Sequence, residues 1–419
     1  ALALNRAQAF VGLGTSQRVD PARVTSIDNR NIDNIIIQRA QTLLPEVLRL
    51  GVAAALWGDR APLDILGRCL AQSRVSVRAA AEALQTNSLL RIDGEEIVFL
   101  HDRVRTSLLQ VLDNTELRSL AHAMSDVLLS EPSIALRQTA LRLKLVGGLD
   151  EVRDAWLSAL FAADAASARL AAQFDLAADF GEAAWSIYQR LANPKASYRL
   201  AVLREACFAA AHRRQPQVAR ERCVRMIAAA SNDMDLADAY ERSVGVMRLA
   251  GAESDAWTFC REGLARFGVR LPTRVGRLRL LLAVLLWKLV GRKARRLVHH
   301  DARTEEALIS FANAAGYVVW EHSPRHAAYM AIQMATRARL RGYDSALWLS
   351  TDTVINAVLK DYRAAATSGD RALAGLRHLR AGRGMTIHRA VIFGRMWRDP
   401  YASLIESARQ IYDFCVAEG

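Results

Sequence analysis

Five stretches of this chain carry residues whose types and spacing could do chemistry. His101, Asp102 and Arg103 stand side by side in EIVFLHDRVRTSLLQVL, residues 96–112. A histidine beside a carboxylate could serve as an acid–base pair, but spacing alone defines no Ser or Cys nucleophile to go with it. The simpler reading is a capped helix: Asp102 accepts the orphan amide hydrogens of the first turn, and His101 and Arg103 make local hydrogen bonds or pack on a neighbouring element. Gly12 and Gly14, in VGLGTS, and Gly382-Arg383-Gly384 look at first like phosphate cradles. Neither continues into Gly-Lys-Ser/Thr, and none of the lysines (Lys144, Lys195, Lys288, Lys293, Lys360) has that context, so no nucleotide phosphate site is expected. His322 and His326 would share a helix face only if a helix ran through Pro324. With no HExxH and no carboxylate partner, no metal site is expected. Finally, nine residues from Arg270 to Arg296 are basic and none is acidic. Arg274, Arg277, Arg279, Arg292, Lys293, Arg295 and Arg296 are the candidates there for contact with an anionic surface.

These residues must be positioned by helices. The chain has 419 residues, 52% of them hydrophobic, with only 9 prolines. That is enough for two or more domains with sizeable cores and favours helix throughout. The formal charge of +13 would suit an anionic partner, although the bias to arginine over lysine is also what a GC-rich genome produces. The cysteines (Cys69, Cys207, Cys223, Cys260, Cys415) show no paired spacing and read as buried free thiols in a reducing, cytoplasmic setting. No run of eighteen apolar residues spans a membrane. Both ends read as cut from a longer chain.

Taken in order, residues 1–30 are a linker or the end of an upstream module. Ile32, Ile35, Ile36, Leu43, Leu44, Val47, Leu48 and Leu50 form an apolar helical stripe, which Pro45 should divide. Helices over 62–71 and 76–87 follow, then Leu89–Ile92 and Ile97–Leu100 as a hairpin turning on Asp93-Gly94. Three helices and a hairpin over 31–113 make a winged-helix arrangement. Its reading helix would offer Arg74 and Arg78 and then mostly Ala, Leu and Glu82, a poor surface for base edges. DNA is therefore not the expected partner. From 114 to 272 helices succeed one another with short polar breaks. Starts near Ser197 and Asp233 lie close to the roughly 34-residue tetratricopeptide period, which predicts a solenoid of helix pairs. Small residues such as Ala206, Ala210, Ala219 and Gly245 would allow close approach. Residues 273–303 hold the basic connector helix, too short to span a bilayer. Its apolar residues go almost all round, which predicts burial; a membrane surface or a partner helix are the other readings. Residues 304–419 form a second helical array, with Trp287, Trp320, Trp348 and Trp397 as core aromatics.

The segment FLHDRVR resembles the F-x-H-D-R-[VI] stretch of the large bacterial signal-transduction ATPases of the STAND class. FGVRLP, residues 267–272, resembles their link after a repeat helix, and the closing DPYASLIESARQIYDFCVAEG resembles the same region. The resemblance runs from about residue 31 to the end. It implies a mainly all-α chain, a winged helix with a small β-hairpin followed by a tetratricopeptide-like α-solenoid. It also implies a non-catalytic sensor or scaffold role, coupling ligand or partner binding on the solenoid to an ATP-binding module and an output domain such as a serine/threonine or histidine kinase, a cyclase or a transcription regulator. ATP would belong to the parent, and no cofactor or catalytic residue is expected within this chain. Phe99, His101, Asp102 and Arg103 would form the joint between winged helix and solenoid. The expected partners are protein, or other domains of the parent, with a small-molecule effector also open; DNA and membrane are not expected. The alternative is a DNA-binding winged-helix regulator with a helical-repeat effector domain. An enzyme with a site in the solenoid groove is a third reading, for which no constellation appears.

Overall fold

The computed structural model describes residues 10–11, 18–19, 29–131, 133–192, 196–293, 302–341, 346–376 and 383–418. The chain divides into two compact units, Ala1–Val152 and Arg153–Gly419.

In the first unit a two-residue antiparallel pair, β1 (Phe10–Val11) with β2 (Arg18–Val19), comes first. Helices α1 (Asn29–Gln41) and α2 (Pro45–Trp57) follow. Pro45 does divide the apolar stripe. It opens α2, where the amide it lacks would have had no helical partner. After β3 (Arg60–Pro62) come α3 (Leu63–Cys69) and α4 (Arg74–Thr86). Ser73 caps α4 by accepting from the Ser76 amide at 3.2 Å, a bond of the kind that fixes a helix start. The hairpin β4 (Arg91–Asp93) and β5 (Glu96–Val98) turns at Gly94, whose φ of +64° is costly for other residues. β5 also pairs with β3 on its other side, Ala61 and Ile92 both opposite Ile97. That third strand escaped the sequence reading because three residues ending in proline carry no alternation to detect, and proline fits only an edge. Helices α5 (Asp102–Leu109), α6 (Asn114–Leu129) and α7 (Ile134–Gly147) complete the unit. Asp113 and Glu116 form a full capping box at the start of α6. Leu120, Met124, Leu128 and Leu143 join one core with Leu50, Leu66, Leu84, Ile97 and Leu108. The boundary expected after residue 113 therefore runs inside this unit.

The second unit is built of helices. They are α8 (Ala155–Leu170), α9 (Phe174–Gln189), α10 (Ala196–His212), α11 (Pro216–Ala228), α12 (Asp233–Leu249) and α13 (Glu253–Arg266), then α14 (Arg277–Lys293), α15 (Ala302–His322), α16 (Pro324–Arg341), α17 (Ala346–Val358), α18 (Tyr362–Ala374), α19 (Arg383–Phe393), a 3-10 turn (Arg395–Trp397) and α20 (Tyr401–Glu418). Three turns repeat one design. Ala172, Arg214 and Gly251 take left-handed φ of 58°, 56° and 75°. In each, the next amide reaches back to a carbonyl five residues earlier: Gln173 to Ala168, Gln215 to Ala210 and Ala252 to Met247, at 2.9, 2.9 and 2.8 Å. This is the Schellman-type closure that satisfies the last carbonyls of a helix. Lys360 (φ 63°) and the Asp361 amide repeat it between α17 and α18. The pairs α8–α9, α10–α11 and α12–α13 are thus one unit three times over. α8 packs on α10 and α10 on α12, so the pairs stack. The fold is mainly all-α, a tetratricopeptide-like solenoid preceded by helices around a small three-stranded sheet.

Two glycines set the closest helix contacts. A Cβ on Gly181 would lie 2.6 Å from the Glu205 carbonyl oxygen, and one on Gly263 would lie 2.6 Å from Phe311 Cζ. Ala206, Ala210 and Ala219 are fully buried as expected, whereas Gly245 faces open space. Ion pairs one repeat apart cross-link the stack: Arg169–Glu205 at 3.3 Å, Arg204–Asp238 at 2.7 Å, Arg213–Asp179 at 2.8 Å and Arg220–Asp255 at 3.1 Å. Part of the arginine excess is therefore committed to holding the repeats together.

Candidate functional site

The predicted joint lies inside the first unit. Phe99 is 7% exposed and sits in its core, with its amide donating to the Asp59 carbonyl at 3.0 Å. Asp102 does not cap α5. His101 holds the N-cap position, without a side-chain cap bond, and Asp102 is already helical. A capping side chain must come from the non-helical residue before the first turn, so the Asp102 carboxylate takes Arg105 instead, at 2.8 Å from Nη2. Arg103 has an acidic partner on a neighbouring helix. Its Nε and Nη2 donate to the two carboxylate oxygens of Asp33, on α1, at 2.9 and 3.2 Å, and the Ser107 hydroxyl adds a third bond at 3.0 Å. The pair ties α5 to α1. The bonds from Arg103 hold the Asp33 carboxyl below the ordinary carboxylate range. A lowered folded pKa means that this link contributes at neutral pH and is lost as the carboxylate protonates in acid. Arg103→Ala should therefore speed amide exchange in α1 while the core around Phe99 stays protected, and acidification should have the same effect on the wild type. Unchanged α1 exchange in the variant would show that the link holds nothing.

The reading helix of a DNA-binding arrangement would be α4. Arg74 pairs with Glu95 at 3.1 Å, and Arg78 bonds Glu82 at 3.2 Å and the Gly94 carbonyl at 3.0 Å. Both arginines are turned to the hairpin or to their own helix.

The basic connector differs from expectation. In α14, Ala283 and Trp287 are buried against Ile332, Ala335 and Ile355, but Leu278, Leu281, Leu282, Leu285, Leu286 and Leu289 are 48–72% exposed. Only one face is covered, because an apolar residue at every helix position cannot tell which faces find a neighbour. Arg274, Arg277, Arg279 and Lys288 are exposed. Arg292 and Lys293 lie in the last turn of α14; Arg295 and Arg296 lie outside the described residues, as does the expected loop Gly12–Gly14. No helix among the described residues is long and apolar enough to cross a membrane.

Pro324 breaks the helix between His322 and His326, yet the two rings still meet, 5.9 Å apart. Trp257 stacks on His322 at 3.9 Å, and His326 Nε2–H donates to the Pro272 carbonyl at 3.0 Å. No metal-binding cluster of three His, Cys, Asp or Glu exists among the described residues. Trp287 and Trp348 are buried, while Trp320 is 59% exposed and is no core residue. Cys69, Cys207, Cys223 and Cys260 are free and buried.

The site that could hold a ligand was not among the predicted residues. A groove of about 520 Å³ lies between α9, α10 and α11, lined by Trp185, Tyr188, Gln189, Leu191, Arg199, Leu203 and Arg225. Its floor is the stacked pair Trp185–Tyr188, ring centroids 6.1 Å apart. Burial raises the Tyr188 hydroxyl's pKa, so the ring stays neutral. Arg222 lies over Trp185 at 5.5 Å but is committed, with two 2.8 Å bonds to Glu182 and one to the Ala206 carbonyl. Arg225 lies 5.6 Å from the same ring. Neither Arg225 nor Arg199 has a carboxylate partner among the described residues, and both are exposed. An aromatic floor beneath two uncommitted guanidiniums suits a ligand with an apolar part next to a carboxylate or phosphate, since Arg binds such groups through paired donors. A second cavity, about 50 Å³ and lined by Met330, Met334, Trp348, Thr351 and Arg389, has the size for water rather than an effector. The groove had a sequence signal: Arg222 and Arg225 follow Trp185 and Tyr188 by one repeat, in the same i, i+3 spacing.

No protein-family model and no curated protein matches the sequence. A solved structure similar to the chain is that of the Signal Transduction ATPase with Numerous Domains (STAND) protein with a tetratricopeptide repeat sensor from Pyrococcus horikoshii. The match covers 96% of this chain and 66% of that one, at 10% identity and a TM-score of 0.27. So low a score does not establish a shared fold, and the solenoid described above stands on this chain's own helix packing.

Proposed function

We propose that the chain is the non-catalytic sensor and scaffold portion of a multidomain signal-transduction ATPase. Residues 31–113 act in it as a winged-helix module, and the solenoid is the receptor surface. Ligand or partner binding there biases an ATP-binding module upstream and an output domain, a kinase, a cyclase or a transcription regulator. The observation that carries the receptor role is the groove between α9, α10 and α11, with its aromatic floor and the free guanidiniums of Arg199 and Arg225. Its chemistry selects an acidic peptide segment or an organic anion.

The test is a fluorescent peptide library in which Asp or Glu sits beside aromatic or aliphatic residues. Retained peptides should lose about tenfold or more in affinity on Arg225→Glu with Arg199→Glu, since each charge-assisted bond lost costs roughly 1.5–3 kcal/mol. Affinities that ignore this reversal would remove the groove from the reading. The missing Gly-Lys-Ser/Thr gives a second expectation: calorimetry on the purified chain should detect no ATP binding. Micromolar binding would mean that the chain holds a nucleotide site of its own. The DNA reading finds no support in α4, where both arginines are already paired.

A further inference from the structure

Helix α14 is fixed on one side and bare on the other. Trp287 anchors it: the indole N–H donates to Asp352 at 3.1 Å, Arg339 lies over the ring at 4.2 Å, and Arg339 Nη1 donates to the Trp287 carbonyl at 3.1 Å. With Trp287 inward, the six exposed leucines cover about 140° of the helix circumference, at 100° per residue. Leu278, Leu282, Leu285 and Leu289 follow a 4-3-4 spacing, the seam along which a second helix packs, and Leu281 and Leu286 widen it. The stripe runs about 16 Å, at 1.5 Å per residue. A contiguous apolar face of this kind on a soluble unit marks an interaction surface. Its margins are basic on both sides: Arg279 on one, Arg277 and Lys288 on the other, all exposed. No acidic residue lies between Arg270 and Arg296.

We infer that this face docks an amphipathic helix whose apolar seam is flanked by Asp and Glu. The charge pattern decides between occupants. A second copy would set basic margin against basic margin, which flanking positions of paired helices disfavour. A bilayer would accept the charge, but it has no use for a 4-3-4 seam, and the one aromatic residue of α14 that could anchor at a lipid interface, Trp287, faces inward. An acidic helix satisfies both the register and the charge.

The test uses two labelled peptides of about three heptads, both with Leu at the seam. One carries Glu at the flanking positions and the other Lys. The acidic peptide should bind, and the basic one should bind at least about tenfold more weakly. Leu282→Glu with Leu285→Glu, at exposed positions that leave the fold intact, should abolish binding. Arg279→Glu with Lys288→Glu should reverse the preference. The inference is overturned if neither peptide binds, or if both bind alike and ignore the leucine changes. It is equally overturned if the leucines drive flotation with phosphatidylserine vesicles without any peptide preference, or self-association in light scattering. None of these outcomes depends on the groove at Trp185.

Discussion

Phe99→Ala should destabilise the first unit by about 3–5 kcal/mol, the cost of a fully packed aromatic ring plus the cavity it leaves. Phe99 follows directly on the central strand β5 and buries its ring where the sheet meets the helices. Its core includes residues from each of α1 to α7, so the cavity opens in a core that all of these helices share. A domain of this size is stable by roughly 5–15 kcal/mol, and the loss is therefore a large fraction of the whole. In urea, the transition of the first unit should move to lower concentration. Hydrogen exchange should lose protection across α2 to α6 while α8 to α13 keep theirs. Phe99→Leu, which keeps much of the volume, should cost less than half as much. If Phe99→Ala shifted the transition by under 1 kcal/mol, the ring would not be the keystone that its burial implies.

How much of this could be read from residues alone depends on the kind of information. Helices in the repeat region were legible nearly to the residue, as with the one starting near Ser197 and found at Ala196–His212, because polar breaks and apolar periodicity mark both ends. Only some of the turns were legible, and none as one repeated device, since Ala172 and Arg214 adopt left-handed backbone without the glycine that usually announces it. Asp102 was assigned a cap one residue too late, the ordinary uncertainty of a helix boundary. The burial of α14 was not legible at all. Composition says that a helix is apolar all round; only the packed unit says that one face meets Ile332 and Ile355 while the leucines of the other stay exposed. The groove was missed for a related reason. An aromatic pair in one helix and single arginines in two others become a site only when stacking brings α9, α10 and α11 together.

Trp287→Ala should destabilise the second unit by about 3–5 kcal/mol. The ring is 2% exposed. It fills the space between α14 and α16, receives the Arg339 guanidinium on its face and donates to a carboxylate that Arg339 also binds, at 2.8 Å. Trp287→Phe separates the contributions, because it keeps most of the packing and removes only the N–H. A hydrogen bond to a charged group is worth roughly 1.5–3 kcal/mol, and that is the expected cost at neutral pH. The pH dependence then identifies the partner. Burial raises the pKa of the Asp352 carboxyl above its ordinary value, against the opposing pull of Arg339, the Trp287 N–H and Arg371. A raised folded pKa means that the folded state takes up the proton more readily, so this carboxyl opposes folding while ionised and does so less as pH falls through its folded value. Removing the N–H raises that value further. The deficit of Trp287→Phe should therefore be greatest at neutral pH and shrink as the solution is acidified and Asp352 protonates. A deficit that stays constant with pH would mean that the N–H bond to Asp352 does not hold α14, and that packing alone keeps its leucine face turned outward.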